Sequence, residues 1–181
     1  MRTLELEKAV QKYARYVVKQ AKNNLAKGGY NNKGKNVTGK LSNSIKPVFD
    51  YDKDNFYVSF EMLNYGIFQD RGVHGTKSSY IENKNSPFRF GSGRGPKGGL
   101  SSGIENWIKL KKFQFRDKKG RFMSYKSMQY IIVNSIWRRG LRATLFMATP
   151  FEQGIKKFGD EFLNAYSLDI EKNVILGIKK R

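Results

Sequence analysis

Between Asn64 and Gly75 the chain reads Asn-Tyr-Gly-Ile-Phe-Gln-Asp-Arg-Gly-Val-His-Gly. Large groups at Tyr65, Ile67 and Phe68 stand among glycines at Gly66, Gly72 and Gly75. The backbone is therefore expected to turn tightly there while the bulky side chains stay buried. Just before this stretch Phe56, Val58, Phe60 and Met62 alternate with Tyr57, Ser59 and Glu61, the period-two pattern of a strand with one buried face and one wet face. A hairpin that hands over to a glycine hub, with helical periodicity on both sides, predicts an α+β fold. Tyr65, Phe68 and Gly72 are the expected hub, together with Pro150 and Phe151 at the start of the last helix.

In chain order the pattern predicts an N-terminal helix, an antiparallel β-hairpin or small sheet, an inserted helical segment and a long C-terminal helix. Thr3 can cap the first helix, Glu5 and Glu7 suit its positive end, and Leu6, Val10, Tyr13, Val17, Ala21 and Leu25 recur at helical spacing until Gly28-Gly29. The hairpin is expected to run from Ser44 to Phe49 and from Phe56 to Met62, with Pro47 marking the first strand as an edge or an interruption. Ser102-Gly-Ile-Glu105 has capping-box spacing and predicts a helix with Ile104, Trp107 and Ile108 inward. Asp117-Lys-Lys-Gly120 reads as a turn, and Ser124 as the cap of a helix buried through Met128, Ile131, Ile132, Ser135 and Ile136 and stopped at Gly140. Thr149-Pro-Phe-Glu152 combines a cap, a proline at the first helical position and a capping-box glutamate; Phe151, Ile155, Phe158, Phe162 and Tyr166 form the stripe that follows. That helix is expected to reach about residue 172.

Two stretches are too polar and too rich in glycine to fold alone. They contain Gly34, Lys35, Thr38 and Gly39 in the first and Gly93, Arg94 and Lys97 in the second, and are expected to be arms ordered by neighbouring molecules. At 181 residues the chain is expected to make one domain, 1–181, with an insertion at 76–147.

Lys and Arg number 35 against 15 Asp and Glu, giving a net charge of +20 and an attraction to polyanions. The chain has no cysteine, so disulfides and thiolate metal sites are excluded. No apolar run approaches the length of a membrane span, and the first residues open an amphipathic pattern instead of a signal sequence, so no membrane partner is expected. The inventory for catalysis is thin. His74 is the sole histidine and reads as a surface or packing residue, and Asp50, Asp52 and Asp54 alternate as ordinary turn residues do. Gly93-Arg-Gly-Pro-Lys-Gly lacks the end of a phosphate-binding P-loop. No enzyme activity and no cofactor are expected.

The densest charge lies between residues 109 and 142: Lys109, Lys111, Lys112, Arg116, Lys118, Lys119, Arg121, Arg138, Arg139 and Arg142, with Lys126 among them and Asp117 as the one acid. Aromatic Trp107, Phe113, Phe115, Phe122, Tyr125, Tyr130 and Trp137 are interleaved with them. Such a mixture suits phosphate binding and base stacking, or an acidic protein partner. The aromatics also fit core positions, Trp107 and Phe122 especially, and the charges also fit a solvated face.

Three islands in order resemble the head-tail joining proteins of tailed bacteriophages, the tail-completion, neck or connector proteins. They are Val37-Thr-Gly-Lys-Leu-Ser-Asn-Ser-Ile45 after a basic helix, Tyr65-Gly-Ile-Phe-Gln-Asp-Arg-Gly72, and Ala148-Thr-Pro-Phe151 opening the last helix. The resemblance implies a non-enzymatic virion part, assembled in the host cytoplasm. It implies a homo-oligomeric ring at the head-tail junction whose partners are the portal, other tail or neck proteins and packaged DNA in the channel. The stretch from Thr76 to Met147 is long for that pattern, so no ring contacts carry over to it. A basic nucleic-acid-binding protein acting outside any particle is the alternative that the charge alone supports.

Overall fold

The computed structural model describes residues 3–27, 38–52, 55–91, 99–112 and 114–179. Gly34, Lys35, Gly93, Arg94 and Lys97 of the expected arms lie outside the described residues. The fold is α+β, and its contacts gather the chain into two compact units, Met1–Leu63 with Phe146–Arg181, and Asn64–Leu145. The second unit begins earlier than the expected insertion at 76. The reason is a pair of backbone bonds that bind the glycine-rich stretch to its far end: Thr144 N–H donates to the Gln69 carbonyl and Leu145 N–H to that of Asp70, both at 3.0 Å.

In the first unit, helix α1 (Leu4–Lys27) packs on α6 (Ala148–Lys179). Ala9, Tyr13, Ala14, Val17, Ala21 and Leu25 are its buried residues. They recur every three or four positions, and half of them are small, so the second helix can come close. Gly154 lies at a close approach of the two helices: a Cβ there would stand 2.6 Å from the Tyr13 ring. The core gathers Tyr13, Val17, Ala21, Leu25, Leu41, Ile45, Phe146, Met147 and Phe158, with the Tyr13 ring edge-on to Phe151, Phe158 and Phe162. Burial pushes the Tyr13 phenol up to about 12.

Asp169 caps the start of α1 through its side chain. This buried carboxylate accepts the Glu5 N–H at 3.0 Å and the Leu6 N–H at 2.9 Å, two donors that the first turn of a helix leaves without partners. Thr3, the expected cap, contributes its backbone carbonyl to Glu7 instead.

Thr38 and Gly39 belong to the turn that opens α2 (Lys40–Ser44), where Gly39 adopts a left-handed φ of +73°; they are not part of a separate arm. Strands β1 (Lys46–Asp52) and β2 (Asn55–Glu61) pair antiparallel, with Pro47 opposite Phe60. In a two-stranded ribbon both strands are edges, so Pro47 sits in an unbroken strand. The expected alternation on β2 is observed, and Phe60 meets Phe151 edge-on at 6.1 Å.

Helix α6 differs from expectation in start and length, and its expected stripe is borne out at Phe158 and Phe162 but not at Ile155 and Tyr166. It begins at Ala148 and runs through Lys179, with Pro150 buried in its first turn, where no N–H is required. Its inward stripe is Gly154, Phe158, Ala165 and Asp169, while Phe151, Ile155 and Tyr166 are 40–47% exposed. The small Gly154 leaves room for the Tyr13 ring on that inward stripe.

In the second unit, the Asn64–Gly75 stretch forms a short helix α3 (Gly66–Arg71) followed by β3 (Val73–His74). The expected burial of Tyr65, Ile67 and Phe68 is reversed, for they are 40–46% exposed. A helical turn buries Gly66 and Asp70 and aims the large groups outward, Phe68 against Phe88. Strand β3 pairs with β4 (Gly140–Leu141), and His74 also bridges to Arg89. The His74 ring is held at both nitrogens: Nε2–H donates to the Ser86 carbonyl at 3.2 Å, and Nδ1 meets the Ser79 hydroxyl at 2.7 Å.

Fully buried Asn83 holds β3 and β4 from the side. Its amide donates to the Val73 and Leu141 carbonyls, each at 2.9 Å, and its Oδ1 accepts the Ala143 N–H at 2.8 Å. Gly72, at φ +74°, lies against this amide: a Cβ there would run into Asn83 Oδ1 and stand 2.7 Å from the Leu141 carbonyl oxygen. Hub position Gly72 is therefore required to be glycine on both counts.

Candidate nucleic-acid interface

Helices α4 (Gly99–Lys111) and α5 (Tyr125–Arg139) lie antiparallel, since Gln129 reaches back to Ser101 while Tyr125 and Lys126 line a groove with Ile108 and Lys109. α4 starts earlier than the expected Ser102 cap, and the Ser102 hydroxyl instead donates to the Gly99 carbonyl within the helix. α5 starts as expected, with Ser124 Oγ accepting the Ser127 N–H at 3.1 Å. Its buried residues are Met128 and Val133, whereas Ile131 is 46% exposed.

A short ribbon joins the two helices, with Arg116 bridged to Phe122. Asp117 shapes its turn. The carboxylate accepts the Lys119 N–H at 2.8 Å, the Arg121 N–H at 2.9 Å and Arg121 Nε at 3.0 Å. These bonds, that from the Arg121 backbone first, hold the Asp117 carboxyl below its ordinary value. Arg116 donates to the Gly120 carbonyl at 2.8 Å and lies 4.2 Å above the Phe122 ring. Both guanidinium groups are thus held in place while Lys118 and Lys119 project at the tip, exposed.

A carboxylate with a lowered folded pKa stabilises the turn above the unfolded value, and that contribution is lost as pH falls through the folded one. A carboxyl-detected NMR titration is therefore expected to show Asp117 titrating below ordinary aspartates, with the Lys119 and Arg121 amides moving at the same midpoint. Asp117→Asn should abolish that movement. A midpoint at or above the ordinary range contradicts this account of the turn.

The ten basic residues singled out by sequence fall into two groups. Lys109, Lys111, Lys112, Arg116, Lys118, Lys119 and Arg121 stand where α4 ends and α5 begins, with Lys126 beside them. Arg138, Arg139 and Arg142 stand at the far end of α5, about 18 Å along the helix from Lys126 at 1.5 Å per residue. Arg142 pairs there with Glu82, whose carboxyl it holds below the ordinary range, and lies over Tyr80.

No known protein family, curated protein or solved structure matches this chain.

Charge in the second unit is lopsided: between residues 64 and 145 seventeen Lys and Arg face Asp70, Glu82, Glu105 and Asp117 alone. Every one of those acids is occupied, Asp70 by burial beside Arg71, Glu82 by Arg142, Glu105 by Lys109 and Asp117 by Arg121. The aromatics divide. Trp107 and Trp137 are half-buried as expected, whereas Phe122 is 61% and Tyr130 71% exposed. Phe122 had the spacing of a packing residue, but on the ribbon it is exposed and its ring stacks with the Arg116 guanidinium.

Among the described residues no group of three or more His, Cys, Asp or Glu is placed to hold a metal ion, and no helix is long and apolar enough to cross a membrane. Asp54, one of the three alternating aspartates, lies outside the described residues.

Proposed function

We propose that this chain is a structural protomer of the head-tail junction of a tailed bacteriophage, copies of which close into a ring between portal and tail around the DNA channel. The observation that carries this reading is the outer flank of α6. Ile155, Leu163, Tyr166, Ile170 and Val174 are 40–68% exposed and recur at helical spacing, beside the stripe that already packs on α1. A helix serving its own unit alone needs one apolar stripe, and this one carries two.

The occupant that fits this flank is a second copy. A net charge of +20 makes copies repel, yet the exposed face of α6 balances Glu152, Asp160 and Glu171 against Lys156, Lys157 and Lys172, so it carries none of that surplus. An apolar flank that meets a different surface of the next copy gives a head-to-tail contact, the geometry that closes rings. The order of the Thr-Gly, Tyr-Gly-Ile-Phe and Thr-Pro-Phe islands supports the same reading. A virion part of this kind acts by position and performs no chemistry.

The purified chain is expected to run as a closed oligomer in light scattering and to appear as rings in electron micrographs. Leu163→Asp with Tyr166→Asp, both at exposed positions, should leave the helix content unchanged and release single protomers. A wild-type chain that stays a single protomer at high micromolar concentration, with or without a portal, overturns the proposal.

A further inference from the structure

We propose that the end of the second unit formed by the close of α4, the Arg116–Phe122 ribbon and the start of α5 binds nucleic acid through its phosphates, without regard to sequence. This goes beyond the assembly reading and does not depend on it. Lys111, Lys112, Lys118, Lys119 and Lys126 are all exposed there, and none forms an ion pair among the described residues. The two nearby carboxylates are engaged, Glu105 with Lys109 at 2.7 Å and Asp117 with the ribbon itself. Positive charge at this end is left uncompensated by the described residues of the second unit.

The arginines add shape to that charge. The Gly120 carbonyl and the Phe122 ring hold Arg116, and Asp117 holds Arg121, so neither must be ordered on binding. A two-stranded ribbon is narrow enough for the major groove of a duplex, and its tip lysines would meet phosphates on either side. An acidic protein is the less fitting partner. Protein interfaces are depleted of lysine and centre on an apolar core, whereas lysines dominate this end, and of its exposed apolar groups, Leu110, Phe115, Phe122 and Tyr125, Phe122 lies under the Arg116 guanidinium. Lysines arrayed as hydrated point charges suit a phosphate backbone.

The far group is assigned no part in this. Arg142 is turned to Glu82, and Arg138 and Arg139 stand a helix length away.

The test is fluorescence anisotropy of a labelled 30-base-pair duplex over a range of salt, with the full-length chain carrying Leu163→Asp and Tyr166→Asp so that avidity in a ring does not enter. Each phosphate contact contributes about −0.9 to the slope of log affinity against log salt. Lys118→Ala with Lys119→Ala is expected to make the slope shallower by about 2 and to weaken binding at 0.1 M salt by about tenfold or more. Lys111→Ala with Lys112→Ala, on a helix and not on the turn, should do the same. Arg138→Ala with Arg139→Ala should leave the slope unchanged. Affinity that ignores salt, an equal loss from the Arg138 and Arg139 changes, or tighter binding to a poly-glutamate peptide than to the duplex overturns the proposal. Rings that form normally from a chain blind to DNA would sink this assignment alone, and a DNA-binding chain that never forms rings would sink the assembly reading alone.

Discussion

Truncating Phe146 to alanine is expected to cost the first unit about 3–5 kcal/mol, the range for emptying a buried aromatic site. The side chain is fully buried in the cluster of Tyr13, Val17, Ala21, Leu25, Leu41, Ile45 and Phe158, and its backbone carbonyl accepts the Asn24 side-chain amide at 3.3 Å. Helices, turn and hairpin all contribute walls to that site, so no single element can slide in to refill it. Urea denaturation followed by far-UV circular dichroism measures the loss as a lower midpoint at constant slope. Phe151→Ala is the contrast. Its ring is 40% exposed, and its truncation should cost clearly less. A loss below about 1 kcal/mol for Phe146→Ala would mean that the site collapses around the gap, against the packing described.

Asn83→Leu should be at least as damaging to the second unit. Three backbone groups would lose this partner, the Val73 carbonyl and the Ala143 N–H in buried bonds and the Leu141 carbonyl in a partly buried one. At about 1–3 kcal/mol for each stranded group, a total of roughly 4 kcal/mol or more is expected. Asn83→Asp keeps the size and the acceptor but removes both amide donors, setting a carboxylate against two carbonyl oxygens. It should therefore fail almost as badly, which a purely steric role would not produce. Hydrogen exchange at the Ala143 amide reads the loss locally, and an amide still protected in both variants would refute the assignment. Gly72→Ala approaches the same knot from the other side, since the new methyl would displace Asn83 Oδ1 while the backbone is held at φ +74°.

Several local rules were legible where a neighbour in sequence was also the neighbour in space, though the Ser102 capping box was not among them. The β2 alternation, the Ser124 cap, the Asp117–Gly120 turn and the stop at Gly140 all belong to this class, and all are observed. What remained hidden depended on partners far along the chain. Nothing near Thr3 announces that Asp169 will cap α1, and an aspartate inside a long helix reads as a surface residue. The inward face of α6 was only partly legible for a related reason: Phe158 and Phe162 face the core as expected, but apolar side chains mark two stripes on that helix, and Gly154, which periodicity counts as empty, lies on the inward one. Tyr65, Ile67 and Phe68 misled in the same way, because hydrophobicity says what a side chain favours and not which way a helical turn will aim it.

The candidate site was half legible. Its residues stand out in the sequence as one basic run, yet α5 divides them between its two ends, and that division follows only once the helix is known to be continuous from Tyr125 to Arg139. Glu82 as the partner of Arg142 lies 60 residues upstream and carries no local signal. Phe122 could have been suspected sooner, since a ring between Arg121 and Met123 on a ribbon with a charged turn has little to pack on.

Asp169 reaching the first turn of α1 also bears on how the chain is made. A ribosome that has finished Leu145 has produced the whole second unit but only the opening portion of the first, and the side of α1 that packs on α6 must wait for the last helix to emerge. Throughout that interval Tyr13, Val17 and Leu25 are available to any chaperone or to other unfinished chains, so products truncated within α6 should be cleared or aggregate far more readily than products carrying the same number of surface substitutions.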